Sequence, residues 1–274
     1  MINFLKELEL RDASLYYFGW LCLLLAVVFI VLSQTRPVRI NGVNAWYKPI
    51  KFCLSIFCYG WTMGWLVHYL PQFNLAAYNI TTIVLLGFEI FYIALQAGRG
   101  QLSHYNVSTG YYRFLYGMMG LAASVVTLYT AYIGLLFFAR DFAALPAYYL
   151  WSIRLGIMLF VVFAFEGAMM GAQMSHAIGN AEDDDKGLPF LGWSRKIGDA
   201  RVAHFIGMHA LQILPLLSFY LLKSRTLTIM VALLYAWLAV FTLIQALKGK
   251  AFIKEAKRRN LTAHLELAKG DAVV

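Results

Sequence analysis

Residues 227–247 read LTIMVALLYAWLAVFTLIQAL, a run without a single charged side chain. An α-helix needs about 20 residues to cross the roughly 30 Å of hydrocarbon in a bilayer, and it satisfies its backbone hydrogen bonds internally. This run therefore predicts a membrane-spanning helix. Six runs of similar character precede it, at residues 16–32, 49–70, 77–97, 114–138, 146–173 and 204–222. The sequence predicts an all-α integral membrane protein, a bundle of seven transmembrane helices that are numbered here as spans one to seven.

The composition agrees with a membrane protein and excludes several soluble classes. Hydrophobic residues make up 61% of the 274 residues and charged residues 14%, against about 25% charged residues in a typical soluble domain. An ordinary cytosolic enzyme, a disordered chain and a disulfide-stapled secreted domain are therefore excluded. The three cysteines lie in apolar runs without a Cys-x-x-Cys or Cys/His cluster, which indicates buried small side chains.

The basic residues divide unevenly between the two sides of the predicted bundle. The loops after spans one, three and five with their adjoining span ends, together with the carboxyl-terminal tail, hold 17 of the 23 Lys and Arg residues. Because cytoplasmic segments are enriched in Lys and Arg, this bias predicts an outside amino terminus and a cytoplasmic carboxyl terminus. It also explains the net charge of +9 by contact with anionic lipid. We expect a bacterial inner membrane as the location, the bilayer and a small-molecule or lipid ligand as partners, and no nucleic acid.

The chain divides into three predicted regions. Residues 1–14 mix apolar and charged side chains, as a short amphipathic helix at the membrane interface does. Residues 15–248 form the seven-helix transmembrane domain. Residues 249–274 form a basic cytoplasmic tail, which is expected to rest on the inner leaflet.

Spans three and five each carry a glutamate, and ionisable residues are costly in hydrocarbon and by default face the interior of a bundle. Span three has polar residues at positions i, i+3, i+7 and i+10, namely Glu89, Tyr92, Gln96 and Arg99, and span five repeats the spacing with Glu166, Met169, Gln173 and His176. Each set lies on one face of a regular helix. Both sets begin with Phe-Glu-x6-Gln, and both spans run in the same direction. The sequence thus predicts two facing polar stripes with glutamates at similar depth.

Span six and the nearby loops add further polar residues. His209 and Gln212 share a face of span six, His204 lies about 140° around the helix from His209, and Pro215 is expected to kink it. Together these features predict a polar funnel that opens to the cytoplasm. Its rim would hold Lys51, Arg99, His104, His176 and His204, and its floor Glu89, Glu166, His209 and Gln212. The outer half of the bundle reads as almost wholly apolar, with His68 alone near its surface.

These residues favour a membrane-embedded, metal-dependent enzyme, a hydrolase or an oxidoreductase, that acts on a lipidic or small-molecule substrate. Two carboxylates and an imidazole suit Zn or Fe, so Glu89, Glu166 and His209 are the predicted catalytic metal ligands. His176 and His204 are predicted as further metal ligands. The predicted substrate-binding residues are the polar side chains around them, Lys51, Tyr92, Gln96, Arg99, His104, Gln173 and Gln212.

Two other functions fit the same residues. A proton-coupled small-solute transporter would protonate Glu89 or Glu166 as its solute moves, although a sealed apolar outer half counts against it. The other is a haem b or quinone protein that acts in redox chemistry or as a sensor. A bis-histidine haem would need a second histidine that faces His209. A retinal protein is not expected, because span seven contains no lysine before Lys248.

Overall fold

A computed structural model describes residues 2–179 and 187–254 of the chain. This part forms eight α-helices: α1 (Ile2–Arg11), α2 (Ala13–Thr35), α3 (Tyr47–Val67), α4 (Leu75–Gly98), α5 (Gly110–Ala139), α6 (Ala147–Ala172), α7 (Arg201–Leu217) and α8 (Arg225–Leu247). Two short antiparallel ladders complete it, β1 (Arg39–Ile40) with β2 (Val43–Asn44), and β3 (Ala177–Ile178) with β4 (Gly198–Asp199).

Seven of these helices, α2 to α8, are long and apolar enough to cross a membrane. The predicted all-helical membrane protein with seven spans is thereby confirmed. A π-helical turn, Ser218–Leu222, extends α7, so that this span runs from Arg201 to Leu222. The turn begins three residues after Pro215, which has no backbone N–H and interrupts the i to i−4 hydrogen bonds. The predicted disturbance of span six therefore takes the form of a widened turn.

Polar side chains begin four of the helices. Asp12, Asn74, Thr109 and Ser224 each accept a hydrogen bond from the backbone N–H three residues further on. Such N-caps satisfy donors that the first turn of a helix leaves free. Asp12 also separates α1 from α2, because its ψ of 87° is not helical.

Glycines bring the helices of two pairs, α6 with α7 and α2 with α3, into close contact. A side-chain carbon at Gly156 of α6 would lie 2.9 Å from the backbone oxygen of Ala210 in α7. Gly207 of α7 faces the ring of Phe163 in α6. At the second pair, a carbon at Gly64 of α3 would lie 3.3 Å from Cβ of Asp12. Small residues of this kind allow membrane helices to approach closely.

The two ends of the bundle differ in charge. At one end α2, α4, α6 and α8 finish, both ladders lie, and most described cations are found: Arg36, Arg39, Lys48, Lys51, Arg99, Arg113, Arg195, Lys196, Arg201, Lys248, Lys250 and Lys254. This end is referred to as the basic end. At the opposite end, α1 packs beside α2 and α3, and the Arg11 guanidinium lies 3.8 Å from the centre of the Trp65 ring. Most of the predicted tail, residues 255–274, lies outside the described residues.

Candidate functional site

The predicted stripe of α4 lies in the core, except at its end. Glu89 is 5% exposed, Tyr92 is 2% exposed and Gln96 is fully buried. Arg99 is exposed, because α4 ends at Gly98 and Arg99 is its C-cap residue. Arg99 is therefore separated from the three buried members of the stripe, at the end of the helix.

Gln96 holds the loop that follows α4. Its Nε2 donates to the carbonyl oxygen of Leu102 at 3.2 Å, and its Oε1 has no hydrogen-bond partner in the described structure. The Tyr92 hydroxyl, one turn deeper, has no such partner either. Each of these side chains thus presents one buried polar atom that remains free to bind a ligand.

Glu166 and His204 meet between α6 and α7. Oε2 of Glu166 lies 3.3 Å from Nδ1 of His204, and the Glu166 side chain is only 6% exposed. The same Nδ1 lies 2.7 Å from the carbonyl oxygen of Phe163, which can only accept, so Nδ1 carries the hydrogen. Gly167 leaves room for the imidazole, since a carbon there would lie 3.0 Å from the ring. Neither Glu166 oxygen has a hydrogen-bond partner among the described residues.

Four aromatic rings gather above this pair at the basic end. The Tyr105 ring centre lies 5.8 Å from that of Tyr116 and 6.4 Å from that of His176. The His104 ring centre lies 6.1 Å from that of Tyr116. His176 reaches this cluster because α6 ends at Ala172 and the chain turns at Met174, whose φ is 53°.

Gln173 does not lie in the interior with Glu166. It is the C-cap residue of α6, and its side chain is exposed. His176 lies beyond the turn at Met174, so the predicted stripe of span five does not continue to it. A regular spacing in sequence specifies one face only while the helix continues.

Burial keeps both loop histidines uncharged at neutral pH. The surrounding protein lowers the pKa of His104 well below its ordinary value, and the charge of Lys48 lowers it further. Burial, followed by the charge of Arg201, lowers the pKa of His176 to about 4. Neutral imidazoles can donate with one nitrogen and accept with the other, which suits ligand binding.

Lysine and arginine side chains make the interior of the basic end positive. Lys48, Lys51 and Arg201 interact electrostatically with one another. The carboxylates that act on this group are Glu89, near Lys48, and Asp199, near Lys51. Asp199 is already bonded to Arg201, at 2.9 Å to Nε and 2.6 Å to Nη2. Glu89 is therefore the acidic group that acts on Lys48, while the Asp199 carboxylate near Lys51 is already paired with Arg201.

A groove at the basic end leads towards Lys51. It lies between the β1–β2 ladder and the segment 187–192, and its lining includes Arg39, Tyr47 and Phe190. Nζ of Lys51 lies 5.9 Å from the centre of the Phe190 ring and donates to the carbonyl oxygen of Leu191 at 3.0 Å.

Among the described residues, His209 and Gln212 do not join the two glutamates in a group that could hold a metal ion. The His209 ring packs edge-on against the ring of Phe205, with the ring centres 4.4 Å apart, and Phe205 is on the same helix and 44% exposed. Gln212, one turn along α7, keeps an unpartnered Oε1. The expected floor of Glu89, Glu166 and His209 is therefore not assembled as a single set.

The predicted metal ligands do not converge. Across residues 2–179 and 187–254, no group of three or more His, Cys, Asp or Glu side chains could hold a metal ion. Of the five predicted ligands, the structure brings Glu166 and His204 into direct contact, while Glu89, His176 and His209 lie in the separate surroundings described above.

The prediction of an apolar outer half is also wrong. At the opposite end, Asn79 Nδ2 donates to Asp12 Oδ1 at 2.8 Å, and the Tyr59 hydroxyl bonds to those of Tyr78 at 3.0 Å and Thr130 at 2.7 Å. All five side chains are buried. The signal was present in the sequence, since Asn79 lies ten residues before Glu89 and near the same face of α4.

What this geometry offers chemically is an acid beside an imidazole, two neutral histidines and an excess of positive charge within one end of the bundle. The chain matches no family model, no curated protein and no solved structure.

Proposed function

We propose that this protein is a proton-coupled carrier of a small anionic solute, with its basic end in the cytoplasm and its amino terminus outside. We further propose the inner membrane of a bacterium as its location. The observation that carries the proposal is the contact between the buried side chain of Glu166 and His204, 3.3 Å apart between α6 and α7. A transporter needs both a site for its solute and a group that binds the coupling ion.

The excess of positive charge supports an anionic solute. Lys48 and Lys51 lie within electrostatic reach of Arg201, whose charge Asp199 already compensates. A carboxylate or phosphate that passed from the groove near Phe190 to these lysines would gain two cationic partners. The two neutral histidines, His104 and His176, would supply hydrogen bonds without adding charge.

Glu166 is the proposed proton carrier. A buried carboxylate with no hydrogen-bond donor is expensive in a low-dielectric interior, and binding a proton removes that cost. His204 can pass a proton to it or take one from it, since its Nδ1 lies beside Oε2. Glu89, beside Lys48, is the proposed counter-charge that an arriving anion displaces.

Uptake of radiolabelled anions into proteoliposomes tests this proposal. Acetate, malate, glutamate and inorganic phosphate are applied in turn, with and without an inward proton gradient. We expect uptake of at least one anion that grows with the gradient, at least a tenfold loss in Glu166→Gln and a comparable loss in Lys51→Gln. Arg99→Gln is the matched control, because Arg99 is an exposed cation at the same end. Uptake that does not respond to the gradient, or that survives in Glu166→Gln, would contradict the carrier.

A metal-dependent enzyme is the second candidate, and the Glu166–His204 contact also favours it, because both groups can bind Zn or Fe. Elemental analysis of freshly purified protein decides between the two. About one Zn or Fe per chain, lost in Glu166→Ala and Glu89→Ala, would favour the enzyme.

The visible spectrum of the same sample tests the haem b alternative, since a Soret band that is lost in His209→Ala would support a haem ligand there.

A further inference from the structure

Asp12 is a buried carboxyl group with a one-sided set of hydrogen bonds. It is 3% exposed and lies between α1 and α2 at the opposite end of the bundle. Its Oδ1 accepts the Leu15 backbone N–H at 3.0 Å and Nδ2 of Asn79 at 2.8 Å. Its Oδ2 has no hydrogen-bond partner among the described residues. The two oxygens of one carboxyl group thus have different surroundings.

The Asn79 side chain also has one buried oxygen without a hydrogen-bond partner. Its Nδ2 donates to Asp12, whereas its Oδ1 is buried and has no partner in the described structure. Both unpartnered atoms, Asp12 Oδ2 and Asn79 Oδ1, are acceptors if Asp12 is ionised. A hydrogen on Oδ2 converts one of them into a donor. An acid and an amide then form two hydrogen bonds with each other, and no buried acceptor is left alone.

The nearby cation and hydroxyl groups are engaged elsewhere. Arg11, the adjacent residue, directs its Nε to Glu7 at 2.8 Å and its guanidinium onto the Trp65 ring. From α4, the Tyr78 hydroxyl acts electrostatically on Asp12, but it is hydrogen-bonded to Tyr59 at 3.0 Å. No positive group among these neutralises Asp12.

Close packing favours the smallest cation at this position. A carbon at Gly64 of α3 would approach Asp12 Cβ to 3.3 Å and Leu15 Cβ to 3.4 Å, so α3 lies directly against the base of the carboxyl group. A hard metal cation takes six or more oxygen ligands with space around them. A proton needs only one oxygen to bind it and a second oxygen to accept its hydrogen bond.

We propose that Asp12 is a proton-binding site at the opposite end of the bundle, with the proton on Oδ2 shared with Oδ1 of Asn79. Burial also raises the pKa of Asp12, in the direction that this site requires. The site goes beyond the proposed carrier and does not depend on it. Only one extension rests on that function: Thr82 and Glu89 follow Asn79 along the buried side of α4, and in a proton-coupled carrier this row would connect the two ends.

The sign of the pH dependence follows from the raised pKa. A carboxyl group that binds its proton more tightly in the folded state stabilises the fold below its unfolded pKa, near 3.9. That contribution is lost as the pH rises through the folded pKa. The free energy of unfolding of the wild-type protein should therefore decrease as the pH rises, because Asp12 loses its proton.

Asp12→Asn tests the site, because Asn keeps the N-cap and places an N–H where the acid has its O–H. Thermal unfolding in detergent is followed from acidic to alkaline pH. We expect the variant to match the wild type at acidic pH and to have the higher Tm at alkaline pH. Asp141→Asn, at an exposed position, is the control and should follow the wild type throughout. A variant less stable than the wild type at alkaline pH would mean that Asp12 is ionised, and would overturn the proposal.

Infrared spectroscopy gives a second readout that does not depend on stability. The wild-type protein should show the C=O stretch of a neutral carboxylic acid that is absent in Asp12→Asn and shifted to higher frequency in Asn79→Leu. A band unchanged in both variants would contradict the site. Replacing choline chloride with NaCl at constant ionic strength should leave the Tm unchanged. A higher Tm in NaCl alone would mean that the site binds a metal cation and not a proton. Failure of the proposed carrier to transport any of the anions would not affect these outcomes.

Discussion

At the residue level, Asp12 and Asp199 are both buried carboxyl groups, but only Asp199 has a guanidinium beside it. Burial alone would raise the pKa of Asp199, and the hydrogen bonds and charge of Arg201 outweigh burial and lower it. We predict that Asp199→Asn costs about 3 kcal/mol of unfolding free energy, at the lower end of the range for a buried pair that loses one partner. The lower end applies because the Arg201 side chain is still 31% exposed. Thermal or chemical unfolding in detergent measures this loss.

The pH dependence of the two aspartates has opposite sign. A carboxyl group with a lowered pKa stabilises the fold above its unfolded pKa and loses that contribution as the pH falls through its folded pKa. The difference between the wild type and Asp199→Asn should therefore narrow below about pH 4, whereas Asp12→Asn differs from the wild type at the alkaline side. A difference for Asp199→Asn that stays constant on acidification would show that the ion pair with Arg201 is not its cause.

At the level of elements, the contact between α6 and α7 depends on one glycine against a backbone. We predict that Gly156→Ala lowers the unfolding free energy by roughly 1–3 kcal/mol, because the added carbon would meet the Ala210 carbonyl oxygen, which cannot move aside as a side chain can. Gly120→Ala in α5 is the matched control. A carbon there has nothing within 4 Å, so the substitution should stabilise by up to about 1 kcal/mol through helix propensity. An equal change of the unfolding free energy in Gly156→Ala and Gly120→Ala would contradict this account of the contact.

The helices also show how far the sequence determines the site. Hydrophobic runs located all seven spans, and the spacing of Glu89, Tyr92 and Gln96 correctly placed them in the core, because helical periodicity holds inside α4. The same rule failed at His176, which lies beyond the end of α6 and the turn at Met174. Contacts across the bundle, such as Glu166 with His204, depend on how α6 and α7 dock, and no spacing within one helix specifies that.

At the level of the whole molecule, the direction of the proposed transport depends on which end faces the cytoplasm. The excess of described Lys and Arg residues at one end predicts that this end is cytoplasmic. Single cysteines at exposed positions test it, with Arg99→Cys at the basic end and Asp141→Cys at the opposite end. In intact cells, a membrane-impermeant maleimide should label Asp141→Cys strongly, and it should label Arg99→Cys only after lysis. The unsubstituted protein gives the background, which we expect to be low because Cys22 and Cys53 are buried and Cys58 is half-buried. Labelling of Arg99→Cys in intact cells would mean that the orientation is the reverse of the predicted one. The basic end would then face outside and the Asp12–Asn79 pair would face the cytoplasm.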